Sequence, residues 1–363
     1  MKELTSRQFI FVVFYLMLST KLLTIHPLVF EYSGKDSILS IVLGTIFDFA
    51  ILIFIVWLLQ KHRDKSFYEL LKSTFGTVLS KIFLSLLFVF ILLKALFLAQ
   101  ETYSFFLQIL YTEIPLYVYV LPTLFILGYF AVKGITTIAR SMEIFSIFIL
   151  IGIVVCSLTA LGGASFKHIL PFFENGLMPT IDGFYAQLFY RGNAIMLLCL
   201  MGKIDFNKYF NLKFYIYSTI LTLIVLGIGL LFYMVYGPSV KYVEFTLAEL
   251  PQYDPFVTDL GRFNWLSLVV CTLALFLTSA TFIYFMSLIG RWVFNLRRAI
   301  IPTGISLVLL IILAIINQFS LVIMDAKLTT NWLYITTSIL SIFIILCIIL
   351  ACSRRKNGQS VKI

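Results

Sequence analysis

The sequence is a succession of apolar runs long enough to cross a lipid bilayer, and this feature constrains the fold most. About 20 apolar residues span the hydrocarbon core as a helix. With 61% hydrophobic and 12% charged residues, the chain lacks the polar surface of a soluble globule. The pattern predicts an all-α integral membrane protein: a single transmembrane domain over residues 1–363 with ten transmembrane helices. The predicted spans are 9–30, 37–59, 82–110, 114–132, 141–162, 181–202, 214–236, 260–289, 299–318 and 331–352.

The distribution of positive charge tests the number of spans and predicts their orientation. Lys and Arg favour the cytoplasmic side of membrane proteins. With the amino terminus inside, 19 of the 27 Lys and Arg residues fall in inner segments, five in outer segments and three within spans. Both termini are therefore predicted to be cytoplasmic. The same distribution argues against nucleic acid as a partner despite the net charge of +10, because the lipid bilayer explains where the cations lie.

Two of the apolar runs are interrupted by polar residues near their centres. The interrupting residues are Ser19, Thr20 and Lys21 in the first run, and Tyr190, Arg191, Gly192 and Asn193 in the sixth. Paired breaks at corresponding places in two halves indicate the ligand site of a transporter fold, because free amides and carbonyls face a cavity there. We therefore predict an inverted repeat of residues 9–162 and 181–352 with helices 1 and 6 broken. The seven interrupting residues and Thr278, which is polar at depth on the eighth run, are the predicted ligand-binding residues.

Five ionisable side chains lie deep within predicted spans, where a charge costs roughly 2.5–3.5 kcal/mol on insertion scales. They are Lys21, Asp48, Lys94, Glu101 and Arg191. Lys21 and Asp48 lie at similar depths on adjacent spans, so we expect them to meet. One cation remains uncompensated if all five are ionised, and a small anion or the carboxylate of a zwitterion would be a natural counter-charge. The alternative is a set of structural pairs with water.

No catalytic, metal or cofactor motif is present in the sequence. It has three histidines and contains no HExxH, no GxSxG and no phosphate-binding loop. The five cysteines have no ligand spacing, so they predict core packing and no metal site. The chain is therefore predicted not to be an enzyme and to need no cofactor.

Two connections between the runs carry specific signals. Ser66 and Glu69 have the spacing of a capping box at a helix start. The connection over residues 237–259 is long and acidic. It is interpreted as a solvated cap or as a docking surface for a partner outside the cell membrane.

Three stretches of the sequence carry a resemblance to a known family. They are Lys133, Gly134 and Ile135 with Ala139, Arg140, Glu143 and Ile144 at the fifth span, Leu170, Pro171 and Phe172 with residues 176–179 before the sixth, and the capping-box helix that ends at Phe75 and Gly76. Together they resemble the spore germination permeases, the GerAB-type B subunits of nutrient germinant receptors, in the amino acid–polyamine–organocation superfamily. The sequence departs from relatives at Ser19, Thr20 and Lys21, where they usually carry glycine, and at Asn193, where they often carry an acidic residue.

The resemblance implies a LeuT-type five-plus-five inverted repeat in the spore inner membrane. It also implies an A-type membrane subunit and a C-type lipoprotein as partners, and an amino acid or similar small nutrient as ligand. The function it implies is a B-type receptor subunit that senses this nutrient. An amino-acid permease coupled to an ion or proton gradient is the alternative, and a structural subunit with a vestigial site is a third. Arg140 and Glu143 are expected to pair at the inner surface.

Overall fold

The protein is built almost entirely from helices, which confirms the predicted all-α class. The computed structural model describes residues 3–110, 116–174, 176–252, 264–296, 298–323 and 327–352. The α-helices are α1 Ser6–Leu18, α2 Ile25–Ser33, α3 Ser37–Lys61, α4 Phe67–Leu110, α5 Leu116–Lys133, α6 Ile135–Thr159, α7 Met178–Ala186, α8 Phe210–Tyr236, α9 Thr246–Glu249, α10 Asn264–Phe294, α11 Ile300–Ile323 and α12 Lys327–Cys352. Two strands in the described residues, β1 Leu4–Thr5 and β2 Ile204–Asp205, pair in parallel.

Several of these helices are suited to a bilayer. By length and composition, six helical stretches in the described residues are long and apolar enough to cross a membrane: Ile25–Lys61, Phe67–Gln108, Ile135–Gly163, Phe210–Tyr242, Trp265–Phe294 and Ile335–Cys352. Two shorter apolar helices, Leu121–Lys133 and Ile300–Ile315, accompany them. The chain is thus a multi-pass membrane protein. The count of ten spans and the inverted repeat remain predictions.

Helix α10 lies at the centre of the packing. It contacts α4, α5, α6 and α11 along its length, and 67% of its most apolar window is buried. For α6 the corresponding share is 33%, and apolar side chains such as Ile147 and Phe148 on it are more than 60% exposed. A helix that is apolar all round is suited to a protein interior or to lipid. Helix α10 is therefore an interior helix, whereas α6 presents an apolar face that suits lipid.

The start of α4 has the predicted capping box. The Ser66 amide donates to Glu69 Oε2 at 2.8 Å, and the Glu69 amide donates to Ser66 Oγ at 3.3 Å. Gly76 interrupts the helix with φ +80° and ψ 179°, a conformation that favours glycine. A short helix over residues 67–75 therefore precedes the long part of α4 at an angle, and its Phe67 and Leu71 are fully buried.

The amino-terminal segment is bonded to the segment that follows the sixth apolar run. Lys203 Nζ lies 3.0 Å from Glu3 Oε2, and Ser6 Oγ donates to the Asp205 carbonyl at 2.6 Å. The predicted pair of Arg140 and Glu143 is wrong, because the Glu143 carboxylate instead pairs with Arg7 at 2.7 Å. Arg7, at the start of α1, thus lies over α6 and supplies the cation that pairs with Glu143.

Candidate functional site

The first apolar run is broken where the sequence predicts. Helix α1 ends at Leu18, a single 3-10 turn covers Ser19–Lys21, and α2 begins at Ile25. Ser19 Oγ donates to the Tyr15 carbonyl at 2.6 Å and lies 2.7 Å from Thr278 Oγ1 on α10. Thr278 also bonds its own helix at the Ala274 carbonyl at 2.9 Å. Thr278 therefore anchors the break to the central helix.

The sixth run is broken at the predicted place as well. After α7 a 3-10 turn covers Gln187–Tyr190, Arg191 is extended (φ −99°, ψ 172°), and Gly192 is left-handed (φ +78°, ψ 8°). A second 3-10 helix then covers Asn193–Leu200. A Cβ at Gly192 would lie 2.3 Å from Leu340 Cδ1, so both the backbone conformation and the space available favour glycine at this position.

The two breaks contact each other directly. Asn193 Nδ2 donates to the Leu16 carbonyl at 2.9 Å and to Thr20 Oγ1 at 3.0 Å. Thr20 Oγ1 in turn lies 3.4 Å from the Tyr190 carbonyl. All of these side chains are buried. The polar interruptions of the two runs thus bond each other in the buried interior.

Asp48 on α3 is the hub of the buried charges. Its Oδ2 lies 2.6 Å from Lys21 Nζ and 3.5 Å from Arg191 Nη1. Its Oδ1 accepts a hydrogen bond from the Gly192 amide at 2.9 Å. The expected meeting of Lys21 and Asp48 is confirmed. The sequence did not reveal that the same carboxylate also joins both breaks, since that depends on the fold of the sixth run.

Arg191 is fully buried and held from several sides. Arg191 Nη2 donates to Gln187 Oε1 at 2.6 Å, and Arg191 Nη1 donates to Thr45 Oγ1 at 3.3 Å. The Gln187 amide donates in turn to the Ser40 carbonyl at 2.5 Å. Gln187 and Thr45 were missed from the sequence. A single Thr within an apolar helix usually bonds its own backbone, as Thr45 also does at the Ile41 carbonyl, and a single Gln does not indicate which segment it bonds.

Lys94 on α4 reaches the break without a carboxylate partner. Nζ donates to the Arg191 carbonyl at 3.0 Å and lies 4.8 Å from the centre of the Phe189 ring. In the described part of the chain no carboxylate oxygen lies within 4.0 Å of it. Among the described residues, Asp48 is thus the carboxylate that pairs with Lys21 and Arg191, and Lys94 lies beside this group.

Glu101 lies apart from that cluster, two turns further along α4. Oε1 accepts the Thr24 amide at 3.1 Å and also the Thr24 hydroxyl. Thr24 Oγ1 lies 2.6 Å from the Tyr190 hydroxyl. The five buried charges therefore form two groups, a cationic one around Asp48 and an anionic one at Glu101.

The long connection after α8 packs into the protein instead of forming a wholly solvated cap. Phe245, Leu247 and Leu250 are buried, and α9 lies against the first break. The Thr246 amide donates to the Leu23 carbonyl at 2.9 Å, and the Leu247 amide donates to the Leu22 carbonyl at 3.2 Å. This segment covers one end of the site. Its remainder over 253–263 lies outside the described residues.

The fold and the site together define the class of the protein. It is an integral, multi-pass, all-α membrane protein in which two interrupted helices meet at a buried charged cluster. The chain belongs to the spore germination protein family, whose family model matches residues 3–326. This match confirms the family that the sequence motifs indicated. No curated protein matches the chain in a sequence comparison.

Proposed function

We propose that this chain is the B-type membrane subunit of a spore nutrient germinant receptor, and that it senses an amino acid or similar small nutrient between its two broken helices. In this proposal the fold is a LeuT-type five-plus-five inverted repeat of residues 9–162 and 181–352 with ten spans. The protein lies in the spore inner membrane with both termini in the cytoplasm. Its partners are an A-type membrane subunit and a C-type lipoprotein.

The proposal rests on the position of Lys94 at the two breaks. A buried cation at the edge of two helix breaks, without a carboxylate partner among the described residues, favours an anionic ligand group. The carboxylate of an amino acid is such a group. The ligand-binding residues in the proposal are Ser19, Thr20, Lys21, Tyr190, Arg191, Gly192, Asn193 and Thr278, with Lys94 supplying the charge.

The proposal predicts that Lys94→Met spores lose the nutrient response while keeping the protein. Removing a buried cation that lacks a counter-ion removes an unfavourable charge, so the protein level should stay within the normal range. Losing a charge-assisted contact should raise the half-maximal nutrient concentration about tenfold or more. Germination of spores exposed to a panel of amino acids, with an immunoblot for the subunit, measures both quantities.

The matched control for this experiment is Lys208→Met, since Lys208 is an exposed lysine away from both breaks. Control spores should respond normally. A normal dose–response curve in Lys94→Met spores would remove Lys94 from the site and with it the main support for the proposal.

Partnership makes a separate prediction. Deleting the gene of the cognate A-type subunit should lower the level of this chain in spores and abolish the response, since the proposed receptor works as a complex. The measurement is an immunoblot combined with a germination assay. Full nutrient response from spores that contain this chain without an A-type subunit would contradict the receptor role.

An amino-acid permease coupled to an ion or proton gradient is the second candidate. It is favoured by one observation, namely that residues 245–250 cover one end of the site. A site closed in this way is compatible with alternating access. Uptake of labelled amino acids into proteoliposomes under a proton gradient, by this chain alone, would favour the permease.

A further inference from the structure

Glu101 carries a buried carboxylate oxygen that has no partner among the described residues. Only 5% of the residue is exposed, and Oε1 already accepts two hydrogen bonds from Thr24, whereas Oε2 accepts none from the part of the chain that the structure describes. A buried acceptor that is left unsatisfied destabilises the folded protein, and more so when it is charged. The fold therefore keeps an open acceptor at the first break.

The charge of Glu101 is also uncompensated. Among the described residues no Lys, Arg or His nitrogen lies within 4.0 Å of its carboxylate. The neighbours that bond it are the neutral groups of Thr24, and Tyr190 continues this chain of hydroxyls. A buried anion held in this way is stabilised by a cationic donor from a ligand, because a buried charge is costly unless it is paired.

Two backbone carbonyls at the first break that could hold a cation are already used. In broken-helix sites unwound carbonyls commonly hold cations. Here the Leu22 and Leu23 carbonyls accept the amides of Leu247 and Thr246. The Arg191 carbonyl at the second break accepts Lys94. Glu101 Oε2 is thus the acceptor at the breaks that combines a negative charge with a free position.

We propose that Glu101 binds the ammonium group of a primary amine, and that it thereby restricts the ligand of this chain to amines. The placement of that ligand between the two breaks rests on the proposed function. Lys94 and Glu101 are seven residues apart on α4, so their Cα atoms are separated by about 10.5 Å along the helix axis. A small zwitterion oriented along α4, with its carboxylate toward Lys94 and its ammonium toward Glu101, matches the two separate charge groups.

Methylammonium is a probe that does not depend on knowing the nutrient. The apparent Tm of the purified full-length protein in detergent should rise with methylammonium chloride in a saturable manner. Tetramethylammonium chloride at equal ionic strength should have no such effect, because it has the charge but no N–H donor. Glu101→Gln should weaken the methylammonium response about tenfold or more, since a charge-assisted bond is lost.

Two further variants keep the result interpretable. Lys208→Met should retain the methylammonium response, because it removes an exposed cation away from both breaks. Glu174→Gln, a change at an exposed carboxylate paired with Lys35, controls for surface binding and should also retain it. If Glu101→Gln does not purify as a folded protein, Glu101→Asp should bind methylammonium more weakly than the native chain does.

The outcomes separate this inference from the proposed function. Equal methylammonium curves in the native chain and in Glu101→Gln, or no response in the native chain, overturn the ammonium site even if spores still answer to amino acids through Lys94. Stabilisation by protons alone, with no effect of methylammonium, also overturns it. A response lost in Glu101→Gln and kept in Glu174→Gln supports it, even if the spores fail to respond to nutrients.

Discussion

Asp48→Asn should destabilise the protein by about 3–5 kcal/mol, the usual cost of removing one partner of a buried ion pair. The carboxylate bonds Lys21, Arg191 and the Gly192 amide together. An asparagine has one acceptor oxygen, and its amide group would face a donor or a cation. Two buried cations would then lose their counter-charge. The free energy of unfolding from SDS titration in mixed micelles measures the loss.

Lys21→Met should cost less than Asp48→Asn, although both remove half of the same pair. Without Lys21, the Asp48 carboxylate keeps Arg191 at 3.5 Å and the Gly192 amide at 2.9 Å. Combining the two changes should recover part of the loss, because neither charge of the pair is then orphaned. The recovery should be incomplete, since Arg191 remains buried without a carboxylate.

Strictly additive losses from the two single changes would show that Lys21 and Asp48 do not interact. The double variant also separates a structural role from a ligand-linked role. Folding that recovers while spores stay unresponsive indicates that the lysine contributes to ligand binding. Recovery of both folding and response makes the pair purely structural.

The breaks and the central ion pair could be predicted because they depend on local sequence and depth. Polar residues such as Lys21 and Arg191 at mid-span have a large cost in lipid, so their position alone indicates an interruption or a partner. Asp48 was found by its depth on the returning span. These arguments need only the length of a helix and the thickness of a bilayer.

The remaining contacts depend on how distant segments pack, and the sequence shows that only weakly. The spacing of three positions on a helix predicts that Glu143 pairs with Arg140. Instead, Arg7 from the amino-terminal segment pairs with Glu143. Thr24 was overlooked, although its amide and hydroxyl bond Glu101.

The sequence does contain a signal for the burial of the connection after α8. Phe245, Leu247 and Leu250 are apolar residues within an acidic stretch, and all three are buried. Apolar side chains at such positions favour packing against the protein over solvation. The acidic residues set the net charge of the whole connection, and that net charge does not indicate which of its apolar side chains are buried.

Gly192→Ala should destabilise the protein by about 2–5 kcal/mol, from two causes that can be measured separately. The first is the left-handed backbone at φ +78°, which costs a residue with a Cβ about 1–2 kcal/mol. The second is the approach to Leu340 Cδ1, which would lie 2.3 Å from the new Cβ. If the backbone at residue 192 shifts to relieve this contact, the amide that Asp48 accepts moves with it.

A double-mutant cycle with Leu340→Ala separates these causes. Leu340→Ala removes every atom of that side chain that the new Cβ would meet, so Gly192→Ala in this background should cost only about 1–2 kcal/mol, the conformational part. Gly227→Ala on α8 is the matched control: no heavy atom lies within 4 Å of its added Cβ, and it should be neutral or stabilising by about 0.5–1 kcal/mol. An equal cost of Gly192→Ala in both backgrounds would exclude Leu340 as the obstacle. A neutral Gly192→Ala would show that residue 192 does not adopt the left-handed conformation on which the second break depends.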